Sequence, residues 1–465
     1  MAEVSSLAGF AAKDAKAIRI SPVSAAALPA LLASIGAEAQ RWADSTGFKA
    51  EPGSFALLPD GKGGIARVLV GIPKDANLWA LAALPAALPE GIYDFDGVTD
   101  AETATRYALG WALGAYAFSR YRKPKRGFAT LVWSESSDRP KVERLARAVS
   151  LARDLINTPA GDMGPEELQR AVEQLARDHN AGCRTIIGDE LLAENYPTIH
   201  AVGRASPRAP RLIDMVWGDP KAPKLTLIGK GVCFDSGGLD IKTASGMRFM
   251  KKDMGGAATL LGLAAAIMAA GLNVRLRLLI PAVENSIAGN ALRPMDIIRT
   301  RQGLTVEVGD TDAEGRLILC DALAEAATEK PALMIDIATL TGAARVALGP
   351  DLPALFANDD ALADDILAAG NRESDPLWRL PLWRPYRDNL KSNIADISNI
   401  AEGGFGGAIT AALYLAEFVP DSIPWAHIDS YAWNAKTRPG RPEGGEALGL
   451  RALYACIERR FGDGR

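Results

Sequence analysis

Two glycine-rich loops, each dense in charge and each directly preceded by an apolar strand candidate, constrain this chain more than any other feature. The first runs Gly229-Lys230-Gly231-Val232-Cys233-Phe234-Asp235-Ser236-Gly237-Gly238 and is followed by Lys242 and Asp253. The second runs Asp310-Thr311-Asp312-Ala313-Glu314-Gly315-Arg316-Leu317. Apolar runs at 225–229, 274–281, 304–308, 332–337 and 425–428 alternate with helical patterns at 165–178, 254–270, 317–329 and 407–418. Such alternation implies an α/β domain with a mostly parallel sheet flanked by helices. Ligands in these folds bind beyond the carboxyl ends of the strands, and both charged loops are expected on that edge.

Asp235, Asp253, Asp312 and Glu314 are costly to bury together unless cations neutralise them. Two divalent ions can share carboxylates as bridges, the arrangement of two-metal hydrolases. Asp312, Glu314 and Arg316 stand two apart, so an extended segment would aim all three into one cavity. Set against this is a solvated acidic turn with an incidental arginine. Lys230 beside Asp235 is most often an ordinary ion pair; the alternative is a neutral amine that ligates a metal.

Other chemistries fit less well. Gly229-Lys230-Gly231 lacks the GxxxxGK[ST] spacing of a phosphate loop. Ser236 is not in a GxSxG elbow and has no histidine near it in sequence. His179 is expected in an amphipathic helix and His200 in a strand or loop, both structural. His427 should end a strand at the active edge, in a structural role or touching substrate. Cys183, Cys233, Cys320 and Cys456 form no CxxC pair, which favours a reducing compartment.

The 465 residues suffice for two domains. Residues 1–136 read as a small N-terminal α/β domain, with a strand near 67–72 and helices near 25–40 and 103–118. Residues 137–157 read as a polar linker and a connecting helix, and 158–465 as the catalytic domain. No basic segment followed by an apolar run marks the N-terminus as a signal peptide. The apolar stretch 257–272 is too short to span a bilayer and reads as a buried helix. A soluble cytoplasmic protein without a membrane partner is expected.

The motifs resemble those of the leucyl aminopeptidase, or cytosol aminopeptidase, family. The resemblance rests on Asn157-Thr158-Pro159, the two charged loops, Met250-Lys251-Lys252-Asp253, Thr339-Leu340-Thr341-Gly342-Ala343 and Ala408-Ile409-Thr410-Ala411-Ala412. It covers the chain from 151 onward. It implies a two-metal aminopeptidase that removes the first residue of peptides with a free N-terminus by attack of a metal-bridging water. Asp235 and Glu314 would bridge the metals, Lys230 and Asp253 would complete one site, and Asp312 the other. The ions would be Mn²⁺ or Zn²⁺. Lys242 would polarise the scissile carbonyl, and Arg316 would hold a bicarbonate acting as general base. Met250, Thr339, Leu340, Gly342 and Tyr431 would line the pocket for the first side chain. The family is typically a homohexamer.

Two departures stand out. The family usually has asparagine where this chain has Asp310. After His427-Ile428-Asp429 the chain carries Ser430-Tyr431-Ala432-Trp433, placing bulky rings where relatives are small. Tyr431 or Trp433 is therefore expected to shape first-residue selectivity. Some members of the family also bind DNA. Residues 1–150 hold 18 basic and 15 acidic side chains, so apart from the run Arg120–Arg126 no strong basic field supports that role. A catalytically inactive homologue is a further alternative, although every catalytic position is filled.

Overall fold

The computed structural model describes residues 9–11, 16–75 and 77–462. Its contacts divide the chain into two units, Met1–Ser150 with Lys436–Glu443, and Leu151–Ala435 with Gly444–Arg465. The helix Arg139–Asn157 runs through the division.

In the first unit six strands form one sheet, in the order Phe10–Ala11, Thr130–Val132, Ile92–Phe95, Ile18–Val23, Ile65–Gly71 and Phe55–Pro59. All neighbours are parallel except the last pair, a hairpin. Its core packs Ile20, Val68, Tyr93, Leu131, Tyr107 and Trp111. The helix expected near 25–40 is two helices, Leu28–Ile35 and Ala37–Thr46. They break at Gly36, whose φ of 107° lies where side-chain-bearing residues rarely go. The helix Ala101–Gly114 starts at Asp100, whose carboxylate accepts from Thr103 N at 2.8 Å.

The second unit is built on a nine-stranded sheet. Four parallel strands make its centre: Trp425–Asp429, Leu333–Ala338, Lys224–Gly229 and Arg275–Asn285. Each is almost wholly buried and reads as an apolar run, as a strand covered on both faces must. Antiparallel strands continue it on both sides: Arg211–Trp217 and Gly182–Ile187 on one, Ala354–Ala357 on the other. The strand Gly231–Asp235 pairs with the far end of Arg275–Asn285. The helices Gly255–Ala270 and Glu314–Thr328 pack on the central strands. The first belongs to an apolar segment long enough to cross a membrane, but that segment is 83% buried within the protein and serves as a core helix.

Four expectations need correction. The strand Thr305–Glu307 lies outside the main sheet, in a small sheet with Ile297–Arg299 and Ile397–Ser398. The second charged loop therefore reaches the sheet edge from the side. Its residues are not extended either: Glu314 begins a helix, and Arg316 lies in the first turn. His200 sits in the helix Pro197–Gly203, whose start is set by Pro197. His179 falls one residue beyond the helix Pro165–Asp178.

Candidate metal centre and substrate cavity

The parallel strands end together, and the residues that follow them build the site. Lys230 succeeds the strand Lys224–Gly229. Its N donates to Ile337 O and its carbonyl accepts from Ala257 N, both at 3.0 Å, so its backbone is pinned between strand and helix. Asp235 ends the strand Gly231–Asp235. The chain then turns through Gly237 and Gly238, with φ of 88° and 68°. That turn aims Gly237 N at Asp235 Oδ1, 2.9 Å away. Asp253 lies in the tight turn Met250–Met254, where Thr339 Oγ1 donates to its Oδ1 at 2.7 Å.

Asn285 ties the two charged loops together. Its Nδ2 donates to Asp235 Oδ1 at 2.9 Å and to Thr311 O at 3.1 Å. Thr311 Oγ1 donates to Gly237 O at 2.6 Å. Asn399 clamps the second loop from the other side: its Oδ1 accepts from Gly309 N, its Nδ2 donates to Asp310 O, and its carbonyl accepts from Arg316 Nη1 at 2.5 Å. Sequence reading missed both asparagines. Each lies remote from the loops along the chain and outside any motif. Asp310 Oδ1 accepts from Asp312 N at 2.7 Å. An asparagine oxygen can make the same turn contact, so the departure at 310 preserves the loop's geometry.

These segments bring Asp235, Asp253, Asp312 and Glu314 around two lysines. Lys230 Nζ lies 2.8 Å from both Asp253 Oδ2 and Glu314 Oε1, and donates to Thr339 O at 3.0 Å. A Cβ at 315 would stand 2.7 Å from Lys230 Nζ, so a larger residue there would push the lysine's end aside. Lys242 Nζ lies 2.7 Å from Asp235 Oδ2 and contacts Asp312 Oδ1. Carboxylate oxygens of Asp235, Asp312 and Glu314 fall within 4.8 Å of one another.

The protonation pattern is that of an overcrowded anionic cluster. Burial, reinforced by the Asp235 charge, pushes Asp312 up to about 7. The same causes drive Glu314 well above the ordinary carboxylate range. Burial alone would lower both lysines, but the surrounding carboxylates outweigh it and hold them above their usual value. Asp253 is held low because Lys230 and Lys252 overcome the effect of burial. Glu314 Oε2 is buried and has no hydrogen-bond partner among the described residues. An orphaned, fully buried carboxylate oxygen beside three other acids fits divalent cations. An oxygen-rich donor set with one amine suits Mn²⁺, Zn²⁺, Co²⁺ or Mg²⁺. A cation held by Lys230 Nζ requires that nitrogen to lose its proton.

The cluster opens into a cavity of about 340 Å³. Met250, Thr339, Leu340, Gly342 and Tyr431 all line it, with Lys252, Arg345 and Asp429. Asp429 shapes the wall by accepting from Leu340 N, Thr341 N and Thr341 Oγ1. Trp433 does not line the cavity. It is buried in the short strand Trp433–Asn434, against Phe249. Arg316 and Glu314 sit behind the lining, and among the described residues Arg316 Nε has no hydrogen-bond partner. His427 is buried, with Nδ1 2.5 Å from Asp336 Oδ1, and does not reach the cavity. Cys233 and Cys320 are core residues.

Fold and site together define a metal-dependent exopeptidase. Residues 150–454 match the model of the cytosol aminopeptidase family catalytic domain, and residues 18–134 match that of the M17 aminopeptidase N-terminal domain. The chain belongs to the cytosol aminopeptidase family, whose members remove N-terminal residues from peptides with the help of metal ions. It is 45% identical to Peptidase B of Cronobacter sakazakii over 345 residues, 72% of this chain and 80% of that one. It is similar to the crystal structure of cytosol aminopeptidase from Coxiella burnetii, at 49% identity and a TM-score of 0.94, covering 97% of this chain and 99% of that one. It also resembles the bottromycin maturation enzyme BotP in complex with Mn, at 33% identity and a TM-score of 0.85, covering 96% and 100%.

Proposed function

We propose that this aminopeptidase works with two divalent ions held by Lys230, Asp235, Asp253, Asp312 and Glu314. The observation that carries the reading is the orphaned Glu314 oxygen inside a buried cluster of four acids. Mn²⁺ or Zn²⁺ fits these donors, and the Mn-bound relative supports the first. When bound, the ion pair supplies a water that ionises near neutral pH. Asp235 and Glu314 would be shared between the two ions.

Lys242 lies at the mouth of the cluster. Its ammonium would face the scissile carbonyl and hold the charge that develops there. Arg316, whose Nε has no hydrogen-bond partner among the described residues, would hold a bicarbonate that serves as general base. Met250, Thr339, Leu340, Gly342 and Tyr431 receive the first side chain. The free α-amine of a peptide selects for its N-terminus, because an internal bond offers no such ligand.

The working protein is a homohexamer in the cytoplasm, as the name of the Coxiella relative suggests for the compartment. Its domains are 1–136, a linking segment 137–157, and the catalytic domain 158–465. The test is hydrolysis of a panel of aminoacyl-amides by chelator-stripped protein, reloaded with each metal in turn. Hydrolysis restored by Mn²⁺ or Zn²⁺ supports the reading. Full hydrolysis without metal contradicts it.

A further inference from the structure

One carboxylate holds the loop between the strand Leu333–Ala338 and the helix Gly342–Leu348. Asp429 ends the neighbouring strand Trp425–Asp429, in register with Ala338, and is only 4% exposed. Among the described residues its side chain makes three hydrogen bonds, and all go to that loop. Oδ1 accepts from Leu340 N at 3.0 Å and from Thr341 N at 3.1 Å, and Oδ2 accepts from Thr341 Oγ1 at 2.6 Å. The Thr341 oxygen in turn accepts from Ala344 N at 3.0 Å and so caps the helix. Two residues earlier on the strand, His427 Nδ1 lies 2.5 Å from Asp336 Oδ1, and Asp336 Oδ2 accepts from Trp425 Nε1 at 2.7 Å. The strand that carries Asp429 is thus fixed to its neighbour, and the loop is fixed to Asp429.

The loop begins with Thr339, which touches the metal cluster twice. Its carbonyl accepts from Lys230 Nζ at 3.0 Å, and its Oγ1 donates to Asp253 Oδ1 at 2.7 Å. The first contact sets the direction of the lysine nitrogen. The second occupies one Asp253 oxygen and leaves Oδ2 turned toward Lys230, 2.8 Å away. The partners of Asp235, Asp312 and Glu314 lie elsewhere.

We infer that Asp429 is a positioning residue that acts on one of the two cations alone: through Leu340 and Thr341 it aligns Thr339, and Thr339 aligns Lys230 and Asp253. The inference rests on the proposed assignment of Lys230 and Asp253 to one ion and of Asp312 to the other. Groups that orient metal ligands are worth roughly 10–100-fold in metal affinity. Loosening this loop therefore separates the affinities of the two ions, whereas a general weakening of the fold lowers both together.

The experiment titrates Mn²⁺ calorimetrically into chelator-stripped wild type, Thr341→Val, Thr341→Ser and Asp429→Asn. Valine keeps the size of threonine but cannot donate to Asp429, and serine keeps the hydroxyl. Asparagine turns a donor toward the Thr341 hydroxyl. The expected result in Thr341→Val and Asp429→Asn is one ion weakened roughly 10–100-fold, with the other within about threefold of wild type. Asp253→Asn marks which binding step belongs to that ion, and the same step should weaken. Thr341→Ser should bind both ions nearly as wild type does. Thr341 is half-buried, so its variants decide the matter if Asp429→Asn does not fold. Equal weakening of both ions, a Thr341→Val titration like that of wild type, or a serine variant no better than the valine one overturns the inference and leaves the two-ion reading standing. A wild type that binds fewer than two ions overturns both.

Discussion

Two buried ionic clusters in the catalytic unit are completed in opposite ways. Around Glu446 everything is paired. Arg153 donates from Nε at 3.2 Å and Nη2 at 2.9 Å, Asn434 donates at 2.8 Å, and Ala447 N at 3.1 Å. Around Glu314 the lysines pair with the acids, yet among the described residues Oε2 is left with no partner. Both clusters are almost fully excluded from solvent. The difference separates a brace from a receptacle. The protein's own donors finish the first, whereas the second awaits cations.

That contrast can be broken most forcefully at its centre. Glu314→Ala should lower turnover by at least ~10³-fold and reduce metal content, because a bridging ligand is gone. Metal-free Glu314→Ala should unfold at close to the wild-type denaturant midpoint. A variant with full metal and near-normal turnover would remove Glu314 from the centre.

Arg153→Met attacks the brace instead. It strands the Glu446 carboxylate in the interior and should cost about 3–5 kcal/mol of stability. Equilibrium denaturation checks this, and kcat of the folded fraction should hardly change. If Arg153→Met proves harmless while metal-free Glu314→Ala unfolds, the two clusters have been assigned the wrong way round.

Within the receptacle, Lys242→Ala should spare metal content and lower kcat by roughly 10²–10³, the loss expected for a group that holds developing oxyanion charge. Steady-state kinetics alongside metal analysis read both quantities. An unchanged kcat takes Lys242 out of the reaction.

Much of the Glu314 cluster was legible in the sequence, whereas the Glu446 brace was not, and the reason is physical. Glycines, carboxylates and lysines crowded into two loops after apolar strands leave few ways to bury them. The central strands and the helices at 165–178 and 254–270 follow from the same apolar patterning. What stayed hidden depends on partners distant along the chain. Asn285 and Asn399 hold the loops through bonds that span 26 to 90 residues. The side sheet that carries Thr305–Glu307 forms only because Ile397–Ser398 returns to it. The helical start at Glu314 was masked by an alternation that also suits a strand. Trp433 and Tyr431 are equally bulky in sequence, and only packing shows that the first turns toward Phe249 and the second toward the cavity.

The smallest effect is expected at that cavity wall. Tyr431→Ala should change the ratio of leucyl to alanyl hydrolysis by about tenfold, since pocket room for a methylene or two is worth ~1–3 kcal/mol each. The ratio of kcat/KM at saturating metal reads it. An unaltered ratio means the ring does not set selectivity between apolar residues, while the metal chemistry stands.

The central claim is that the unsatisfied cluster is a two-cation catalytic centre. Calorimetric titration of Mn²⁺ into chelator-stripped protein, with aminoacyl-amide hydrolysis followed in the same samples, tests it most directly. The account predicts two ions bound per chain in the wild type, hydrolysis rising in step with occupancy, and fewer than two in Glu314→Ala. Full hydrolysis by stripped protein, or two ions and wild-type turnover in Glu314→Ala, would contradict it.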